Sequence, residues 1–275
     1  MTKPDNMILP FKELSQINLG IIGCGNIGTE IALFADSQPG FRLDCLCDTD
    51  TVKSHQLAAQ LRNNHPDFVE IAELVNRCNL LVEAANKNVV KEILENLDLC
   101  RANKQVLFLS SGGLFENVQL MDSLSRHELS VPSGAIAGID ALRAVAGHIE
   151  ELQLTTTKPM SSLPPVKQEA SDSSVTLFDG AIKEAIELFP QNINVAATIF
   201  LATRFNGLKI KIVADREATQ NQHEIYCRGS FGEIRTTTIN KPSKNPKTSY
   251  LAILSAIGCL KQLLSAHEVK NAYVG

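Results

Sequence analysis

The stretch INLGIIGCGNIG, residues 17–28, predicts the fold of the first half of the chain. Its first six residues form an apolar run of the length of one buried strand. A GxGxxG pattern formed by Gly23, Gly25 and Gly28 follows directly, and a helix is predicted over 26–37. A strand, a glycine-rich turn and a helix in this order are the context in which GxGxxG binds a dinucleotide.

Each glycine of this pattern has a separate task in a dinucleotide site. The first makes a tight turn, the second lets the backbone approach the pyrophosphate, and the third lets helix and strand pack closely. The helix N-terminus then offers free N–H groups and a partial positive charge to the phosphates. The candidate cofactor-binding residues of the loop are Gly23, Gly25, Asn26, Ile27 and Gly28.

An acidic residue follows at the expected distance. Asp48 lies 20 residues after Gly28 and ends a predicted strand, 42–48. A carboxylate at this position accepts hydrogen bonds from the ribose hydroxyls of the adenosine half, and it repels a 2′-phosphate. NAD is therefore favoured as the cofactor, with NADP left open because Arg42 or Lys53 could lie nearby.

Short apolar strands alternate with helical segments throughout the first half of the chain. This alternation predicts an α/β fold with a Rossmann-type, doubly wound parallel sheet. The predicted strands are 17–22, 42–48, 69–71, 79–84 and 105–110, and the predicted helices are 26–37, 51–62, 72–77 and 87–101.

The pattern changes after about residue 130 and predicts a second, α+β domain with a mixed or antiparallel sheet. Three segments near its end alternate in the manner of antiparallel strands, the last two joined by a hairpin across Ser230-Phe231. The segment 159–174 is rich in Pro, Ser and charge and predicts a loop. The predicted strands are 152–158, 207–215, 223–229 and 232–240, and the predicted helices are 180–189, 194–205 and 249–264.

Composition narrows the class of protein. The formal net charge is -4 and no dense Lys/Arg cluster occurs, which argues against a nucleic-acid or anionic-membrane partner. The first 16 residues lack the pattern of a signal peptide, and no run of 18 apolar residues occurs, so we expect a cytoplasmic protein. The seven cysteines are irregularly spaced, which indicates reduced thiols and no metal site.

Three segments of the second half carry a more specific pattern. They are PSGAIAG at 132–138, FPQNINVA at 189–196, and the stretch from Ala214-Asp215 to His223. Together with GCGNIG, LVEAA at 81–85 and NPKTS at 245–249, they resemble the L-aspartate dehydrogenase family. The resemblance runs over about residues 17–264, although Arg216 stands where the family often has proline.

The resemblance implies an activity and a set of roles. The family oxidises L-aspartate to iminoaspartate, which hydrolyses to oxaloacetate and ammonia, in NAD biosynthesis or amino-acid breakdown. His223 matches the catalytic histidine, and Ala135 and Asn194 match residues that contact the cofactor. We expect a dinucleotide domain at 1–133, a substrate domain at 134–241, and a C-terminal segment, 242–275, that packs back on the first domain.

Amine oxidation requires a base, and a histidine with a pKa near 7 suits that task. Aspartate also has two carboxylates, for which the cations near these segments are Lys158, Arg204, Arg228 and Lys247. Two alternatives remain open: a related reductase acting on another small acid or imine, and a nicotinamide-binding regulator without turnover. In each case we expect a small-molecule ligand and a homo-oligomer.

Overall fold

The computed structural model describes residues 16–162, 173–189, 193–245 and 248–273. The first sheet consists of the strands β1 Ile17–Ile22, β2 Phe41–Cys47, β3 Asp67–Phe68, β4 Leu80–Glu83, β5 Gln105–Phe108 and β6 Glu128–Ser130. All its strands are parallel, in the order β3-β2-β1-β4-β5-β6. This is the Rossmann order, so the predicted doubly wound sheet is confirmed.

Helices cover both faces of this sheet. Leu19 and Ile21 of β1 contribute to one core cluster, whereas Ile22 contributes to the cluster on the opposite face. Because both faces are buried, the strands are almost continuously apolar. The helices of this half are α1 Asn26–Asp36, α2 Thr51–Ala58, α3 Ile71–Arg77, α4 Lys87–Leu99, α5 Ser111–Glu116 and α6 Val118–Ser123.

A second sheet follows, with helices on one face. Its strands are β7 Ile149–Pro159, β8 Ser174–Ala181, β9 Lys209–Asp215, β10 Asn221–Gly229 and β11 Gly232–Asn240, and its helices are α7 Ile139–Ala144, α8 Ile182–Leu188 and α9 Ile193–Thr203. The strand order is β11-β10-β7-β9-β8. Gly229 pairs with Gly232 across the predicted hairpin turn.

The sheet is mixed, which confirms the prediction of a mixed or antiparallel sheet. β9 runs antiparallel to β8 and parallel to β7, because alternation along a strand reports which residues face the core and says nothing of the neighbour's direction. Strand β8, Ser174–Ala181, was not predicted: the predicted loop ends at 174, no element was predicted over 175–179, and the helix predicted from 180 begins at Ile182. β8 is an edge strand whose register shifts between Thr176 and Phe178, and this irregularity breaks its alternation.

Other differences concern short elements. The interval between β5 and β6 contains α5 and α6, which the sequence does not predict because each has only 6 residues. The strand predicted at 69–71 is wrong: the two-residue β3 ends at Phe68, both its residues are exposed, and α3 begins at Ile71. Such short exposed elements leave no hydrophobic periodicity to detect.

The last helix, α10, spans Tyr250–Tyr273 and is longer than the predicted 249–264. Its residues Ala256 and Leu260 are fully buried in the core cluster formed by β1, β2 and α1. The window Tyr250–His267 has a mean hydropathy of 1.2, and by length and composition alone it could cross a membrane. One such helix is weak evidence for a span, and here two of its residues complete the core of the first sheet.

Candidate active site

A cleft of about 620 Å³ lies between the two sheets, beyond the carboxyl end of β5. Among the predicted site residues it brings together Ile27, Ala135, Asn194 and His223. The described residues that line it are Ile27, Leu109, Ser111, Pro132, Ser133, Gly134, Ala135, Lys158, Pro159, Asn194, Val195, Thr198, Thr219, Gln220, Asn221, His223, Asn240, Pro242, Thr248, Ser249 and Ala252.

His223 is held by the register of the second sheet. Strand β10 places it opposite Thr156 of β7, and its Nδ1 lies 3.0 Å from Thr156 Oγ1. This contact leaves Nε2 as the ring nitrogen available to a ligand. Burial, together with the nearby charge of Lys158, lowers the pKa of His223 to about 4. The value differs from the expected 7, so the imidazole is neutral at physiological pH and can accept a proton.

Ala135 lies in a loop that is tied to both domains. Its carbonyl oxygen accepts hydrogen bonds from Thr238 Oγ1 at 2.9 Å and Asn240 Nδ2 at 3.0 Å. The N–H of the preceding Gly134 donates to Ser255 Oγ of α10 at 2.9 Å. The loop is therefore fixed against the second sheet and the last helix, with its backbone along the cleft.

Asn194 links α9 to the end of the first sheet. Its Oδ1 accepts a hydrogen bond from the N–H of Gly112 at 3.0 Å, and its carbonyl oxygen accepts one from Ser111 Oγ at 2.7 Å. Thr198 Oγ1 donates to Ser111 Oγ at 3.0 Å. Ser111 lines the cleft, yet sequence reasoning missed it because its partner residues lie more than 80 positions away.

The glycine loop closes tightly onto the first sheet. Gly23 has φ +98°, and a Cβ there would lie 2.6 Å from the carbonyl carbon of Ala84. A Cβ on Gly28 would lie 1.9 Å from the carbonyl oxygen of Gly23. The first and third glycines therefore have the packing reasons that the pattern predicts.

Gly25 differs from the other two glycines, because a Cβ there would meet nothing within 4 Å. It is the N-cap of α1, and no side chain caps the helix start. Open space at a helix N-terminus fits the pyrophosphate of a dinucleotide. The adjacent Asn26 donates from Nδ2 to Ser243 Oγ at 3.1 Å, which ties the loop to the segment before α10.

Asp48 lies beside this loop. Its Oδ2 accepts the N–H of Cys24 at 2.6 Å and its Oδ1 accepts the N–H of Asp50 at 2.8 Å. The two cations that could have favoured a 2′-phosphate are engaged elsewhere: Arg42 pairs with Asp44 at 3.2 Å, and Lys53 pairs with Asp50 at 3.3 Å.

One buried group has the composition of a metal site. The ligand atoms of Asp44, Cys45 and Cys78 lie within 4.8 Å of one another. Burial raises the pKa of the Cys45 thiol to about 11 and also raises that of Cys78, while Arg77 binds the Asp44 carboxylate at 3.1 Å. The group offers only three ligand atoms among the described residues, and the carboxylate is already paired with Arg77, so we assign no metal to it.

Two family models match the chain. The model described as "Aspartate dehydrogenase, C-terminal" matches residues 140–263. The model described as "Homoserine dehydrogenase, NAD binding domain" matches residues 23–129. The two matches correspond to the two sheets, and the second of them places an NAD-binding domain at the glycine loop.

Relatives of similar length are also found. The L-aspartate dehydrogenase of Methanosarcina acetivorans is 37% identical over 271 residues, which cover 92% of this chain and 99% of the relative. That of Nitrosopumilus maritimus is 39% identical, with 90% and 96% covered. The crystal structure of aspartate dehydrogenase from Thermotoga maritima shares the fold, with a TM-score of 0.70, 23% identity, and 91% and 97% of the two chains covered.

Proposed function

Because the chain belongs to the L-aspartate dehydrogenase family, we propose that it oxidises L-aspartate with NAD, or runs the reverse reductive amination. The observation that carries this proposal is His223, which lines the cleft between the sheets with Nδ1 held by Thr156. The overall reaction converts L-aspartate, NAD and water to oxaloacetate, ammonia, NADH and a proton.

The residues of this chain bind and orient the cofactor and the substrate, and they accept protons. A bound nicotinamide supplies the acceptor for the hydride that leaves the substrate α-carbon. Neutral His223 takes the proton from the substrate ammonium, or from the water that adds to iminoaspartate. Ala135 and Asn194 would hold the nicotinamide half, and the loop of Gly23, Gly25, Asn26, Ile27 and Gly28 would hold the pyrophosphate.

We also propose how the domains divide the binding tasks, where the protein is located, how it assembles and which pathway it serves. We assign cofactor binding to residues 1–133 with the C-terminal segment 242–275, and substrate binding to 134–241. We expect a cytoplasmic homo-oligomer in which the helix-free face of the second sheet offers a surface for a second copy. Provision of iminoaspartate for NAD biosynthesis is the pathway role that family membership supports.

The test is NADH formation from L-aspartate, followed by absorbance at mildly alkaline pH. D-aspartate, L-glutamate and L-malate are run beside it, each with NAD and with NADP. We expect turnover with L-aspartate and little with the others. Turnover of a different acid would contradict the substrate, and tight NADH binding without any turnover would point to a regulator.

Replacing Asp48 with serine should shift the cofactor preference from NAD towards NADP. The change removes the carboxylate that would bind the ribose diol and repel a 2′-phosphate. We expect kcat/KM for NAD to fall by about tenfold or more, the effect of losing a charge-assisted hydrogen bond, and kcat/KM for NADP to rise. Steady-state kinetics with both cofactors measure the ratio, with Asp50→Ser on the neighbouring cap as control. An unchanged ratio would place the adenosine ribose elsewhere.

A further inference from the structure

The sequence offers four cations for the substrate carboxylates. Among the described residues, Lys158 alone of the four lines the cleft. Arg204 pairs with Asp122 at 2.6 Å, and Arg228 pairs with Glu151 at 3.2 Å on exposed surface. Lys247 lies outside the described residues.

The side chain of Lys158 is directed by the register of β7. Leu152, Leu154 and Thr156 face the covered side of the sheet, and Lys158 follows at the same two-residue spacing. Thr156 contacts His223, so Lys158 lies on the histidine's side of the sheet. Its side chain has no hydrogen bond or ion pair with any described residue.

Among the described residues that line the cleft, no acidic side chain compensates the charge of Lys158. None of the described lining residues is an Asp or Glu, and His223 is the only other titratable one. Burial partly desolvates the ammonium of Lys158 and thereby lowers its pKa. A half-buried cation without a partner attracts an anion from solution. Hydroxyl and amide side chains of Thr219, Gln220 and Asn221 line the same cleft and can donate to an anion there.

We propose that Lys158 binds the side-chain carboxylate of the substrate and thereby selects dicarboxylic amino acids. This assignment rests on the proposed function and adds a specificity-determining residue to it. The carboxylate would also offset the positive charge beside His223, so that binding of the correct substrate makes the imidazole a better proton acceptor. Substrate selection and proton transfer are thus coupled through one ammonium group.

The experiment compares Lys158→Met and Lys158→Arg with Lys209→Met, an exposed lysine of the same sheet. Loss of a charge-assisted hydrogen bond should raise KM for L-aspartate about 10- to 100-fold in Lys158→Met, with NADH affinity unchanged. Binding of succinate to the NADH-loaded protein, measured by calorimetry, should weaken equally. Lys158→Arg should retain most of both affinities, and Lys209→Met should match the wild type.

A second readout is the pH profile. With Lys158 removed, the pKa of His223 should rise, so the acid limb of kcat/KM should move to higher pH. Unchanged KM and succinate affinity in Lys158→Met would overturn the proposal, as would a loss of kcat alone in both Lys158 variants. Wild-type protein that binds succinate through Lys158 without oxidising L-aspartate would refute only the proposed function. Wild-type protein that binds no succinate would refute the carboxylate site.

Discussion

Replacing His223 with alanine should lower kcat for L-aspartate oxidation by about 10²- to 10⁴-fold, the contribution of a positioned general base. NADH affinity should stay close to the wild-type value, because Asp48 and the three glycines of the loop lie outside the cleft lining that contains His223. Steady-state kinetics and NADH titration of the same preparation provide the two numbers.

The control for this variant is His148→Ala, an exposed histidine of the same domain whose ring forms a hydrogen bond with Ser230. Removing His223 leaves the hydroxyl of Thr156 without its partner, at a cost of about 1–3 kcal/mol in the free energy of unfolding. Thermal melts and His223→Gln, which keeps a polar group, separate loss of chemistry from loss of fold. A variant that retains wild-type kcat would remove His223 from the mechanism.

The pH profile tests the environment of this base. The pKa of His223 is about 4, which is lower than the ordinary 6.5 because the imidazolium is buried and faces Lys158. The imidazole therefore stays neutral, and able to accept a proton, to lower pH than an exposed histidine would. We expect no loss of kcat/KM from His223 between pH 7 and about 5.

The sequence predicted the strand, the turn and the helix around the glycine loop because their determinants are local. One run of residues, 17–28, contains a strand, the turn and the start of a helix, and Asp48 ends the next strand. The backbone of Ala84 leaves no room for a Cβ on Gly23, and the carbonyl oxygen of Gly23 leaves none for a Cβ on Gly28. Residues that are close together in the sequence therefore determine most of the geometry of the glycine loop.

The substrate side depends on pairing between distant segments. Thr156 and His223 meet because β7 and β10 are paired in one particular register, across 67 positions of sequence. A shift of one residue would move Lys158 to the other face of the sheet. The resemblance points to His223. Its contact with Thr156 and the direction of the Lys158 side chain depend on how the strands pair in the folded sheet.

Replacing Gly28 with alanine should damage both folding and cofactor binding. The added Cβ would lie 1.9 Å from the carbonyl oxygen of Gly23, and a backbone atom cannot move aside as a flexible side chain could. Overpacking of this kind lowers the free energy of unfolding by about 1–3 kcal/mol or more. We expect a lower Tm without ligand and at least about a hundredfold weaker NADH binding, since the loop must shift from its phosphate-binding form.

Gly25→Ala is the matched variant, and it should separate binding from stability. Its Cβ meets no protein atom within 4 Å, and the backbone at φ −73° accepts alanine, so Tm should equal or slightly exceed the wild-type value. The methyl group would nevertheless occupy the space through which the pyrophosphate approaches the loop, so NADH affinity should fall by about tenfold or more. Calorimetric titration with NADH and thermal melts of the unliganded proteins measure the two effects. Wild-type NADH affinity in Gly25→Ala would show that the pyrophosphate does not lie against this loop, because the added methyl group would then not obstruct the cofactor.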